Sequence, residues 1–144
     1  MDKYYIPEIS EFFVRFEFEE NQIDSDWKSY GWEKKIVDVN FNFKLASEYI
    51  GLYRVKYLSQ DDIESLGFNI TKDNEDIELS LESKRYIGGP SAGDDYKIII
   101  LYGLDNKEMW IYKKCNNGYE YDLFKGLIKN KSELIKLLKQ LQIG

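Results

Sequence analysis

No histidine occurs in the 144 residues, and cysteine occurs once, as Cys115. The missing imidazole removes Ser-His-Asp and Cys-His nucleophilic machinery, His-ligated zinc and the usual pH switch. A single thiol removes internal disulfides and thiolate zinc sites. Long apolar runs are missing as well. The longest, "IIILY" at Ile98–Tyr102, is strand-sized and far short of the ~20 residues that span a bilayer. The N-terminal "MDKYYIPEIS" lacks the basic-then-apolar layout of a secretory signal. These absences lead us to expect a soluble protein of a reducing compartment, the cytoplasm, with no membrane partner; no metal and no cofactor are expected. Alanine (2), proline (2) and arginine (3) are scarce, while lysine (17), isoleucine (16), tyrosine (12) and asparagine (9) are plentiful. That skew follows AT-rich codons and marks a genome rather than a function.

What is present is apolar enough to fold. Hydrophobic residues make up 43% and aromatics 16%, well above a disordered acidic chain. The net charge of −6 is unevenly placed. Residues 1–26 hold eight acids and two bases, whereas residues 107–139 hold eight lysines and four acids. No repeat or linker interrupts the chain, which reads as one domain over residues 1–144.

Strand signals dominate. "ISEFFVRFEFEE" alternates from Phe12 to Glu19, with Phe12, Val14, Phe16 and Phe18 on one parity and Arg15, Glu17 and Glu19 on the other. "KIVDVNFNF" and "LYRVKYL" read as the next two strands. "SQDDIESLGF" reads as a short helix, capped by Ser59 with Asp62 and stopped by Gly67. "IELSLES", "YKIIILY", "EMWIYKK" and "YEYDLFKGLI" follow as strands, the last two joined at Asn117-Gly118 by a hairpin expected to need positive φ at both positions. The chain closes on an amphipathic helix with Asn130 as cap, Glu133 completing the box, and Leu134, Leu137, Leu138 and Leu141 on one stripe. The expected fold is α+β: a twisted, mostly antiparallel sheet of about six or seven strands, one short central helix, and the C-terminal helix packed on the sheet.

Three groups of residues invite a functional reading. Glu17 and Glu19, with Glu20 beside them, form an acidic strand face, the first two roughly 6–7 Å apart. Nothing in the sequence buries one of them alone, as acid–base work requires, so a solvated face or a dock for a basic partner is expected. The loop "SDWKSYGWEKK" places Trp27, Tyr30 and Trp32 among polar residues, either folded back over a sheet edge or exposed as anchors. In the C-terminal strands Tyr112, Tyr119 and Tyr121 interleave with Lys113, Lys114, Lys125 and Lys129, in the manner of a single-strand nucleic-acid platform. The breaker-rich "RYIGGPSAGDDY" is not a phosphate loop, because Gly93 is followed by Asp94 and Asp95 rather than Lys-Ser/Thr.

"YIPEISEFFVRFEFE", "RVKYLSQDDIESLGF" and "FKGLIKNKSELIKLLKQLQI", about a third of the chain, together resemble a family of small uncharacterised proteins of AT-rich anaerobic bacteria, their phages and mobile elements. The resemblance implies a small accessory protein. By analogy with such proteins, the expected function is non-enzymatic: binding and inhibiting or redirecting a host protein, as an anti-CRISPR or other anti-defence inhibitor of a Cas effector nuclease or its ribonucleoprotein. The partner-binding residues would be Glu17, Glu19, Glu20, Trp27, Tyr30 and Trp32. The alternative is binding of single-stranded RNA through Tyr112, Lys113, Lys114, Tyr119, Tyr121, Lys125 and Lys129.

Overall fold

The computed structural model describes residues 3–73 and 78–143. The chain gathers into two compact units, 1–57 with 132–136, and 58–131 with 137–144. The fold is α+β and antiparallel throughout its sheets, and among the described residues the strands number nine, in two sheets rather than one.

The first unit holds a four-stranded sheet in the order β1-β4-β2-β3, with β1 at Tyr4–Tyr5, β2 at Glu17–Ile23, β3 at Ser29–Ile36 and β4 at Tyr53–Lys56. Helix α1, Phe43–Glu48, is capped by the Asn42 carboxamide, which accepts from the Leu45 amide. Aromatic stacking builds the core: Phe12, Phe16, Phe18 and Tyr53 are buried together with Val37 and Val55. The Phe12 ring lies 4.8 Å from that of Phe16 and 5.1 Å from that of Phe18.

Two expectations fail here for one reason. The alternation from Phe12 is not a strand, because a 3-10 turn at Ile9–Glu11 and a left-handed Arg15 (φ 81°) delay β2 until Glu17. Val14 is left half-exposed, while Phe12, Phe16 and Phe18 still reach the core. Likewise "KIVDVNFNF" supplies only the end of β3. Its Asp38 carboxylate accepts from the Asn40 amide in a turn, Val39 is 83% exposed, and α1 begins at Phe43. Periodicity of two over a few residues cannot tell a strand from a turn that happens to bury alternate rings. The aromatic loop is correspondingly shorter than expected, since Ser29–Ile36 is β3.

β3 ends the sheet order, and all eight of its residues are exposed. Its free edge can be assigned. The Val37 amide donates to Phe16, so Val37 faces β2, and the Glu17 amide turns away to Ser132 Oγ at 2.9 Å. Antiparallel alternation then directs the backbone groups of Ile36, Lys34 and Trp32 outward.

The second unit holds a meander, β5-β6-β7-β8-β9, at Asn69–Asp73, Glu78–Glu82, Tyr96–Gly103, Glu108–Cys115 and Glu120–Leu127. Ile77, expected at the start of "IELSLES", lies outside the described residues. Helix α2, Gln60–Glu64, carries the expected capping box of Ser59 and Asp62, and Gly67 follows at φ 99°. Leu81, Ile100, Tyr102 and Ile111 are fully buried on one sheet face. Helix α3, Lys131–Gln140, is divided between the units at Lys136, with Leu134 and Leu138 buried.

The buried Tyr102 hydroxyl donates to the Ile128 carbonyl at 2.7 Å. Replacing Tyr102 with Phe leaves that carbonyl short of a partner and is expected to cost about 1–2 kcal/mol. Tyr119→Phe, at an exposed ring, should cost almost nothing. Urea titration of the two variants compares them directly.

Candidate functional site

Paired residues of a sheet share a face, so the register sorts the acidic residues. Glu17 lies opposite Ile36, and Glu19 lies between Lys34 and Arg54. Glu20 lies on the other face, between Glu33 and Tyr53. The three glutamates therefore do not form one acidic surface, and the face of Glu17 and Glu19 is interleaved with cations.

Glu19 has a specific task. Its Oε1 accepts from Arg54 Nη2 at 3.0 Å, and both side chains are mostly buried. The guanidinium is sandwiched between rings, 3.8 Å from the centroid of Tyr4 and 4.0 Å from that of Trp32. Four residues from β1, β2, β3 and β4 thus form one clamp across the sheet, in which cation–π contact and a charge-assisted bond act on the same planar group. Trp32, 39% exposed, is an element of this clamp first. Sequence reasoning missed Arg54 and Tyr4. The only signal for Arg54 was its place in "LYRVKYL", with polar parity and a charge opposite to Glu19.

Glu20 acts on its neighbour. The Tyr53 phenol is pushed above its ordinary pKa of 10.0, first by burial and then by the Glu20 charge.

The β2–β3 hairpin carries the other two aromatic candidates. The Asp24 amide donates to the Lys28 carbonyl and the Trp27 amide to the Asp24 carbonyl, closing a reversal of three residues. The Asp24 carboxylate accepts from the amides of Asp26 and Lys28, each at 2.9 Å. Trp27 takes the third position at φ 60° and is 76% exposed. Tyr30, just inside β3, is 69% exposed.

The β8–β9 hairpin closes in the same way. The Cys115 amide donates to Tyr119, and the Gly118 amide to Cys115. Gly118 takes the third position at φ 94°, and Asn117 is not in the left-handed region, so this is a three-residue reversal and not the two-residue turn expected. Two hairpins of one design therefore place glycine at the left-handed position in one case and tryptophan in the other.

The seven C-terminal candidates divide by face. Tyr112 and Lys114 lie opposite Asp122 and Glu120, while Lys113 lies opposite Tyr121 on the other side. The Tyr112 phenol is raised in pKa by burial and then by Glu120. Lys125 Nζ approaches Asp122 at 3.7 Å and sits 4.5 Å over the Trp110 ring. Trp110 Nε1 donates to Asp122 at 2.8 Å. The Lys129 carbonyl accepts from the Leu58 amide, and Tyr119 is exposed at the hairpin. Of the seven, Lys113 and Tyr121 are brought together, with the ammonium 6.0 Å from the ring. An open groove of about 630 Å³ beside Trp110 is walled by Glu78, Glu108 and Lys125. Both glutamates are exposed, unlike the desolvated member of an acid–base pair.

No protein-family model, no curated protein and no solved structure matches the chain. Among the described residues no helix is long and apolar enough to cross a membrane.

Raised pKa at Tyr53 carries a pH consequence. The fold prefers the neutral phenol, so this stabilisation is complete below pH 10 and is lost as pH rises through the raised value. Stability followed by denaturant titration should fall above pH 10, and Tyr53→Phe should remove that part of the fall while changing little at pH 7.

Proposed function

We propose that this protein is a non-enzymatic binding module that docks on another protein through the β2–β3 hairpin. One observation carries the reading: Trp27 occupies, 76% exposed, a left-handed position whose counterpart in the second hairpin is Gly118. A left-handed conformation costs a non-glycine residue about 1–2 kcal/mol. Exposure of a large apolar ring adds a second cost, and neither is offset by packing. Strain of this kind persists where a side chain is needed in place, and tryptophan and tyrosine are the residues that anchor protein interfaces. Tyr30 extends the same surface.

In the phage or mobile-element setting that the sequence resemblance implies, the partner is a host protein. A Cas effector nuclease, with its basic channels for guide and target, is the class to which Asp26 at the tip and the exposed Glu17 are complementary in charge. Inhibition of defence is then occlusion, with no bond made or broken.

Trp27→Gly separates stability from function. The variant should gain about 0.5–1 kcal/mol, since relief of strain exceeds the entropy cost of glycine. It should also lose roughly 30-fold or more in inhibition, as for a hot-spot aromatic. The measurement is purified protein titrated into RNA-guided cleavage reactions, beside a thermal melt. Inhibition unchanged in Trp27→Gly would exclude the hairpin as the docking element.

A further inference from the structure

The second unit carries a strip of cations and stacked rings that the docking hairpin does not use. Tyr86 and Tyr96 form an isolated antiparallel bridge, with mutual backbone bonds of 2.7 and 2.9 Å, and their rings stack at 5.3 Å and 24°. Lys113 Nζ stands 4.3 Å over the Tyr96 ring and 6.0 Å from that of Tyr121. Lys84 Nζ stands 5.6 Å from the ring of Tyr86. The order along the strip is thus Lys84, Tyr86, Tyr96, Lys113, Tyr121, with steps between 4.3 and 6.0 Å. Sequence reasoning held Lys113 and Tyr121 but missed Tyr86, Tyr96 and Lys84. These come from the breaker-rich segment and its two flanks, which only the tertiary bridge brings together.

Charge distinguishes this strip from the rest of the sheet. Lys97 is paired with Glu82 and Lys125 with Asp122. Among the described residues neither Lys84 nor Lys113 has a carboxylate within ion-pair distance. Glu120 and Asp122 belong to the opposite face by register. Asp94 and Asp95, which lead into β7, are held in the loop through their backbone groups. A Cβ on Gly88 would come within 2.0 Å of the Asp94 carbonyl oxygen, and the Asp95 carbonyl accepts from the Asn116 amide. These backbone contacts hold the loop against the strand.

We infer that this strip binds single-stranded nucleic acid, with phosphates on Lys84 and Lys113 and bases laid on Tyr121 and its exposed neighbour Tyr119. A polymer that alternates charge with flat apolar groups matches a surface on which cations stand beside rings. An acidic peptide would satisfy the ammonium groups and leave the rings unused. Phosphate capture also draws each lysine off its ring, which opens Tyr96 and Tyr86 to stacking. With no reader of the 2′-hydroxyl or of base edges in the strip, RNA and DNA of any sequence are accepted.

The test is fluorescence anisotropy with labelled oligouridylate, oligothymidylate and a polyglutamate peptide. Two or three phosphate contacts predict a loss of roughly tenfold in affinity between 50 and 200 mM salt. Lys113→Glu and Tyr121→Ala should each weaken both oligonucleotides about tenfold. Tyr121 is 53% exposed, so its variant should keep the parent circular dichroism, and Lys84→Glu supplies a second charge reversal at an exposed site. Trp27→Gly should bind oligonucleotides as the parent does, so this result is independent of protein docking. Absence of binding at low salt, polyglutamate binding as tightly as the oligonucleotides, or indifference to Lys113→Glu would each overturn the assignment.

Discussion

A three-residue reversal between antiparallel strands needs its third residue in the left-handed region, and the β2–β3 and β8–β9 pairs are joined by reversals of this kind. Gly118 meets the requirement without strain, and β8 and β9 pair from there through a single bulge at Ile111 and Tyr112. Trp27 meets it at a cost, and β2 and β3 pair from there after a shift at Gln22 and Ile23. The same backbone geometry therefore serves as ordinary scaffolding at one hairpin and as a device for displaying an indole at the other. The Asp24 carboxylate makes the second case possible by accepting two amides of its own turn.

Several charges in this protein are committed internally, and which ones are committed decides what remains for a partner. Glu19 is committed to Arg54, Glu82 to Lys97 and Asp122 to both Lys125 and Trp110. Arg54 is committed twice over, since Tyr4 and Trp32 cover the two faces of its guanidinium. The acidic stretch at the start of the sequence belongs to the first unit, and most of the basic stretch toward the end belongs to the second. Charges outside those pairs stand at the β2–β3 tip, as Asp26, and along the Lys84–Tyr121 strip.

What the sequence disclosed follows from the range of the forces involved. The α2 capping box, the Gly67 stop and the antiparallel run of β7, β8 and β9 are set by neighbours within a few residues, and each appears where local pattern placed it. The region from Phe12 to Phe43 was misread because rings at alternate positions can be buried by a turn at Arg15 as well as by a strand. The division into two sheets was illegible, since no composition shift marks residue 58. Of the candidate residues, Trp27 and Tyr30 stand exposed as one alternative had it, whereas Trp32 and Glu19 were absorbed by a partner 22 or 35 positions away in sequence. Contacts at that separation leave no local trace.

The open margin of β3 has a consequence for how the molecule breathes. Amide hydrogens of Trp32, Lys34 and Ile36 face water, while those of Glu33 and Lys35 are shielded against β2. Deuterium should enter this strand at every second residue, a comb in which the vacant teeth are the positions another strand would close.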